Sequence, residues 1–203
     1  MIMTYLYMYR LTNDTGLAPC VDNGLLSLAV CKGGQIRNGR VCHTGLRYRI
    51  GSNKDGYDPE NDKVYVLGTY KGKLLYLARV TQIKTMTEYY RDIAKGRTDH
   101  IYDVKNGLLV RNKKLRKQEV HLETEKQIRD MAGEYVLLSD DFMYLGKDAV
   151  SVEAVTIYGA RFRETKFYTG KTADEIIDAC QRYKDNKKHE PNNAFKSNCG
   201  CCK

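Results

Sequence analysis

Two short stretches of the chain hold residue types able to do chemistry. Asp14-Thr15-Gly16 sets a carboxylate, a hydroxyl and a glycine that permits tight backbone geometry side by side. Such a carboxylate can accept hydrogen bonds or serve as a general base. Cys31-Lys32-Gly33-Gly34, followed by Arg37 and Arg40, sets adjacent glycines among cations. Amides free of side chains beside fixed cations form concave anion sites. Two ordinary polar turns are the competing reading. A third stretch, Ser139-Asp140-Asp141-Phe142, with Tyr144 beyond it, adds paired carboxylates suited to metal binding or acid/base work. An Asx turn ending a strand is the plainer alternative there, taken for one aspartate and left open for the other.

Other candidates carry less. Arg79 interrupts an apolar run and must point to solvent, the commoner outcome, or into a site. The block Arg111 to Lys117 is the densest positive run, either a phosphate-contacting segment or a solvated connector. His43, His100, His121 and His189 share no metal-ligand spacing. Cys199, Cys201 and Cys202 fit no standard zinc site, so no metal and no cofactor are expected. Cys31 lacks a neighbouring histidine in sequence and reads as inert. There is no P-loop, dinucleotide fingerprint, nucleophile elbow or zinc-deaminase signature.

Composition narrows the class. The 34 Lys and Arg against 25 Asp and Glu leave a net charge of +9, which favours polyanionic partners such as nucleic acid or nucleotides. Sixteen tyrosines, with no tryptophan and four phenylalanines, can stack on bases or line the wet edge of a sheet. Seven cysteines without an export signal argue against a disulfide framework. No apolar run nears the ~20 residues of a membrane span. A soluble, cytoplasmic protein with no membrane partner is expected.

The elements that must position these residues follow from periodicity. Residues 4–11 alternate Tyr with Leu and Met, a strand pattern, and 25–31 reads as a buried strand. Residues 38–61 read as a long, partly ordered loop or short hairpin. Runs 64–70 and 73–83, joined at Lys71-Gly72, form the clearest hairpin, and 101–104 with 108–110 a smaller one turning at Asn106-Gly107. Strands are expected at 135–138, 150–157 and 161–168. Three helices are expected: 85–94 behind a Thr85/Glu88 capping box, 123–132 ending at Gly133, and 172–184 behind a Thr172/Glu175 box. The sum is an α+β protein, mainly antiparallel and barrel-like, with three short flanking helices. Residues 1–184 form one globular domain, and 185–203 a basic, structureless tail.

Asp14-Thr15-Gly16 with Pro19, the run to Cys31-Lys32, the hairpin through Arg79, Met86–Tyr90 and Ser139-Asp140-Asp141 with Tyr144 and Gly146 occur together and in order. This combination, over about residues 4–150, resembles the second of the nucleotide-modification-associated domain families. The chain departs from that pattern in an expanded 38–61 segment and in lacking a Gly-Asp pair before the main hairpin. The resemblance implies a bacterial or phage setting in which modified DNA bases are made or handled. The hairpin followed by a short helix is also similar to the small barrels of PUA, ASCH and EVE type, where such a strand pair walls a base pocket. On this basis the expected function is nucleotide or nucleic-acid binding at a modified base. Asp14, with Thr15 and Gly16, would meet the base edge, and Lys32, Arg37 and Arg79, with Gly33 and Gly34, would hold phosphate. Phe142 or Tyr144 would stack, contributing about 1–3 kcal/mol per base. The rival is an enzyme using Asp14, Asp140 or Asp141 as base or metal ligand. A protein-interaction subunit is the third reading.

Overall fold

The computed structural model describes residues 2–112, 124–160, 164–185 and 187–192. Two open sheets face one another. The first has the order β12-β7-β6-β1-β13, formed by Asp141–Tyr144, Lys63–Tyr70 (β6), Lys73–Arg79 (β7), Thr4–Leu11 (β1) and Thr165–Thr169 (β13). The second has the order β2-β3-β11-β8, formed by Cys20–Asp22, Leu25–Leu28, Tyr135–Ser139 and Gln82–Thr85. Two hairpins stand apart, β4–β5 (Gln35–Arg37, Arg40–Cys42) and β9–β10 (Tyr102–Lys105, Leu108–Arg111). All pairings are antiparallel except β1 with β6. The expected α+β, mainly antiparallel class is what is observed, but no sheet closes into a barrel among the described residues.

Strand alternation explains the layering. In β1 the odd residues Tyr7, Tyr9 and Leu11 enter the core between the sheets, while Leu6 and Met8 face the opposite side. There they meet Ala173, Ile176, Ile177 and Cys180 of α5 (Gly170–Gln181) and Val155 of α4 (Glu153–Tyr158). A third core, behind the second sheet, joins Tyr89 and Tyr90 of α2 (Met86–Asp92) to Tyr102 of β9. Each fully buried leucine in these layers contributes about 1.5–3 kcal/mol.

Among the described residues there are five α-helices where three were expected. α1 (Leu46–Gly51) lies inside the segment read as a loop, and α4 replaces the strand expected over 150–157. Val152 and Val155, three apart, share one face against α5, and this packing overrides their β-branching. The Thr85/Glu88 capping box is present on α2, with Thr85 Oγ1 accepting the Glu88 amide at 3.2 Å. The Thr172/Glu175 box is not: α5 begins two residues earlier, behind Thr169. α3 (Thr124–Met131) stands near its expected place. The run expected as one strand over 73–83 breaks at Val80 and Thr81, whose amides bond Val64 and Leu138 carbonyls, so the chain passes from the first sheet to the second. His121, residues 113–117 of the basic block, Arg161, Arg163 and Cys199, Cys201 and Cys202 lie outside the described residues. Among the described residues no helix is long and apolar enough to cross a membrane.

One buried polar knot ties loop 95–101 to the second sheet. Asp99, fully buried, accepts Ser27 Oγ at 2.5 Å and Tyr89 OH at 2.7 Å and faces Arg97 Nε at 3.5 Å. Arg97 donates onward to the carbonyls of Asp22 (2.8 Å) and Leu25 (3.1 Å). Burial raises the Asp99 pKa against these partners.

Candidate functional site

The glycine-rich basic loop is held by buried charge. Cys31 and Lys32 both adopt left-handed backbone, φ 58° and 50°, a conformation that costs a residue with a side chain about 1–2 kcal/mol. The loop stays there because its polar groups are pinned. The Cys31 amide donates to Asp130 Oδ1 at 2.7 Å, and Tyr102 OH donates to Asp130 Oδ2 at 2.9 Å. Arg47, fully buried on α1, donates Nε to the Cys31 carbonyl at 2.7 Å and Nη1 to the Tyr135 carbonyl at 2.6 Å, with Nη2 on the Asp130 carbonyl. Burial lowers the Arg47 pKa, while the Asp130 carboxylate pushes it back up. The amides of Gly45 and Arg47 close the loop onto the Gly33 and Lys32 carbonyls, both at 3.1 Å.

Gly33 and Gly34 are glycine for want of space. A Cβ on Gly33 would collide with the Arg129 carbonyl and the Gly133 amide, and one on Gly34 with the Cys42 carbonyl. Their bare backbones pack against the end of α3 and the β4–β5 hairpin.

Beside this loop opens a cavity of about 310 Å³. Its lining includes Arg10, Lys32 and Arg129, the backbone from Cys31 to Ile36, Thr44 and Gly45, and from β13 and its approach Thr165 and Glu164. Lys32 lays its ammonium 4.8 Å above the ring of Tyr9, a cation–π contact that aims the charge along the cavity wall. Burial raises the Tyr9 phenol pKa, so that group stays protonated and donates or accepts as a neutral partner to Tyr76 OH, 2.9 Å away. Arg10, Lys32 and Arg129, the last also paired with Glu125 at 2.5 Å, outnumber the one lining carboxylate, Glu164, a balance that suits an anion the size of a phosphate group.

The other expected residues go elsewhere. Asp14 is fully buried and does not line this cavity. Its carboxylate accepts Tyr144 OH on both oxygens at 2.8 Å, and the backbone and side-chain nitrogens of Asn192 on Oδ2 at 2.8 and 3.1 Å. Burial, then Asp14, raise the Tyr144 phenol pKa, so Tyr144 acts as a donor there and not as a stacking platform. Thr15 is buried beside it, and Gly16, at φ 77°, packs near Pro191. Phe142 and Tyr144 line a second cavity of about 420 Å³ with Asp22, Lys187, Lys188 and His189. Arg37 is exposed at the tip of the β4–β5 hairpin, its Nε on Gln35. Arg79 pairs with Asp141 at 3.3 Å on the sheet surface, where Lys184 also reaches Asp141 at 3.2 Å. Asp140 is exposed in the β11–β12 turn, its amide on Thr81 Oγ1. Asp14, Asp140 and Asp141 therefore share no partner, and no group of three His, Cys, Asp or Glu able to hold a metal ion occurs among the described residues.

Of the residues at this cavity and its supporting loop, Lys32, Gly33 and Gly34 were named from the sequence, and Arg10, Arg129, Arg47 and Asp130 were not. Arg10 had a signal, as the one charge in an otherwise apolar and tyrosine-rich strand. Arg47 had none, since its partners come from segments 16 to 88 residues away. The stretch 187–192, expected within a structureless tail, packs against Asp14 and the turn Gly146–Asp148.

The family described as nucleotide modification associated domain 2 matches residues 3–198, extending past the span that carried the resemblance. No curated protein and no solved structure gives a match.

Proposed function

The chain belongs to the nucleotide modification associated domain 2 family, and from that membership we propose that it binds a nucleotide, free or within a strand, by its phosphate in the Lys32 cavity. The observation that carries this is the convergence of Arg10, Lys32 and Arg129 on one concavity beside a loop locked in place by Arg47 and Asp130. At about 310 Å³ the cavity stands at the small end of ligand sites, room for one nucleotide unit and not for several. The family's tie to nucleotide modification makes a modified base the ligand class to assay first. This reading needs no PUA-like barrel, because the anion site is built from one loop, one strand end and one helix end.

Calorimetry with nucleoside monophosphates and a short single strand tests it. The affinity for the strand falls linearly on a logarithmic salt axis, by about 0.7 per phosphate neutralised. Lys32→Met weakens both ligands by about tenfold or more, the size of a lost charge-assisted contact. Affinity indifferent to salt and to Lys32→Met overturns the proposal.

A further inference from the structure

We propose that Asp14 is a recognition point for a guanine-type base edge, occupied in this structure by Asn192 of the same chain. The inference rests on the nucleotide-binding reading but concerns base and not phosphate. Asp14 is a fully buried carboxylate, and Asn192 offers it two adjacent donors, a backbone N–H at 2.8 Å and a side-chain NH₂ at 3.1 Å. The same NH₂ gives its other hydrogen to the Gly146 carbonyl at 2.7 Å. An N–H beside an NH₂ is what guanine presents on its pairing edge. Adenine and cytosine show an amino group beside a ring acceptor, and uracil and thymine an N–H between two carbonyls. Tyr144 OH, 2.8 Å from each Asp14 oxygen, gives its one hydrogen to the carboxylate and holds it as an acceptor for such a pair.

The occupant is removable. Its segment is tied to the turn Gly146–Asp148 by the Lys147 amide on the Glu190 carbonyl at 2.9 Å, by an exposed ion pair of Lys147 with Glu190 at 2.5 Å, and by His189, which meets Asp148 at 2.7 Å and Asp185 at 2.8 Å. The exposed Lys147–Glu190 pair holds weakly, and the His189 contacts depend on its proton. Lys187, Lys188 and His189 of the segment line the second cavity together with Phe142 and Tyr144, so lifting the segment opens that cavity beside Tyr144, the partner of Asp14.

The test is equilibrium binding of guanosine, inosine and adenosine monophosphates to the full chain, to Asn192→Ala and to Glu190→Gln. Inosine keeps the N–H and the phosphate and lacks only the 2-amino group, so its difference from guanosine isolates the site. Both variants are expected to bind the guanosine nucleotide about tenfold tighter than the parent, with a smaller gain for inosine and none for adenosine. Glu190→Gln acts on a surface pair and reads out the same effect should Asn192→Ala fail to fold. Equal gains for all three nucleotides, or no gain in a chain that still shows Lys32-dependent binding, overturn this inference and leave phosphate binding standing. No binding in any variant overturns both.

Discussion

Arg47 and Lys32 are joined by a backbone hydrogen bond of 3.1 Å and obey opposite constraints. Arg47 is silent at the surface and satisfies three carbonyls from the loop, α3 and β11. Its removal strands those acceptors and withdraws one nearby cation from the buried Asp130 carboxylate. Arg47→Met is therefore expected to lose about 3–5 kcal/mol of stability, read as a lower urea midpoint at unchanged slope. Lys32 instead carries backbone strain for the sake of its charge. Lys32→Gly should unfold at higher urea than Lys32→Ala, by about 1 kcal/mol, because glycine adopts φ 50° without a Cβ penalty. Both variants lose ligand affinity. A Lys32→Gly chain no more stable than Lys32→Ala would remove the case for stored strain. The residues that surround the cavity show why types alone mislead. Gly33 and Gly34 drew attention as a bare-amide cradle, yet their immediate reason is the close passage of α3 and β5.

Among the elements, the segment 187–192 has the clearest switchable chemistry. His189 sets Nδ1 against Asp148 at 2.7 Å and Nε2 against Asp185 at 2.8 Å, and Lys147, Lys187 and Glu190 are the other charges nearby. A neutral imidazole can donate from only one nitrogen, so both bonds require the protonated ring. The hydrogen bond His189 donates to Asp185, and then the one it donates to Asp148, raise its pKa, while burial works against them. The sign follows: stabilisation of the docked segment is complete below the ordinary histidine value and is lost as pH rises through the raised one. Hydrogen exchange of amides 187–192, corrected for intrinsic rate, should show protection at pH 5.5 that falls by pH 8.5. His189→Gln should abolish the difference, and equal protection at both pH values would contradict it. The local elements were legible where pattern was local: the alternation of β1, the Lys71-Gly72 hairpin and the Thr85/Glu88 cap all stand. α4 was not, because its helix exists through burial of Val152 and Val155 against α5, which no six-residue window contains. α1 hid for a similar reason, its Arg47 being buried by chain far away in sequence.

For the whole molecule, the charge of +9 and the family membership point to the same ligand class, while the fold decides where it goes. Asp14, Lys32, Arg37, Arg79 and Tyr144 were expected in one site, and the structure puts Lys32 at one cavity, Tyr144 at another with Asp14 buried against it, and Arg37 and Arg79 at two surface positions. Spacing along the chain does not reveal this partition, because Tyr9 comes under the Lys32 ammonium and within the field of Asp14 only after the sheets pack. Amide chemical-shift mapping during titration of a nucleoside monophosphate locates the ligand. The largest shifts are expected at Lys32, Gly33, Gly34 and Gly45, with little change at Arg79 and Asp141. Shifts concentrated around Arg79 and Asp141, with the Lys32 loop unmoved, would contradict binding in the Lys32 cavity.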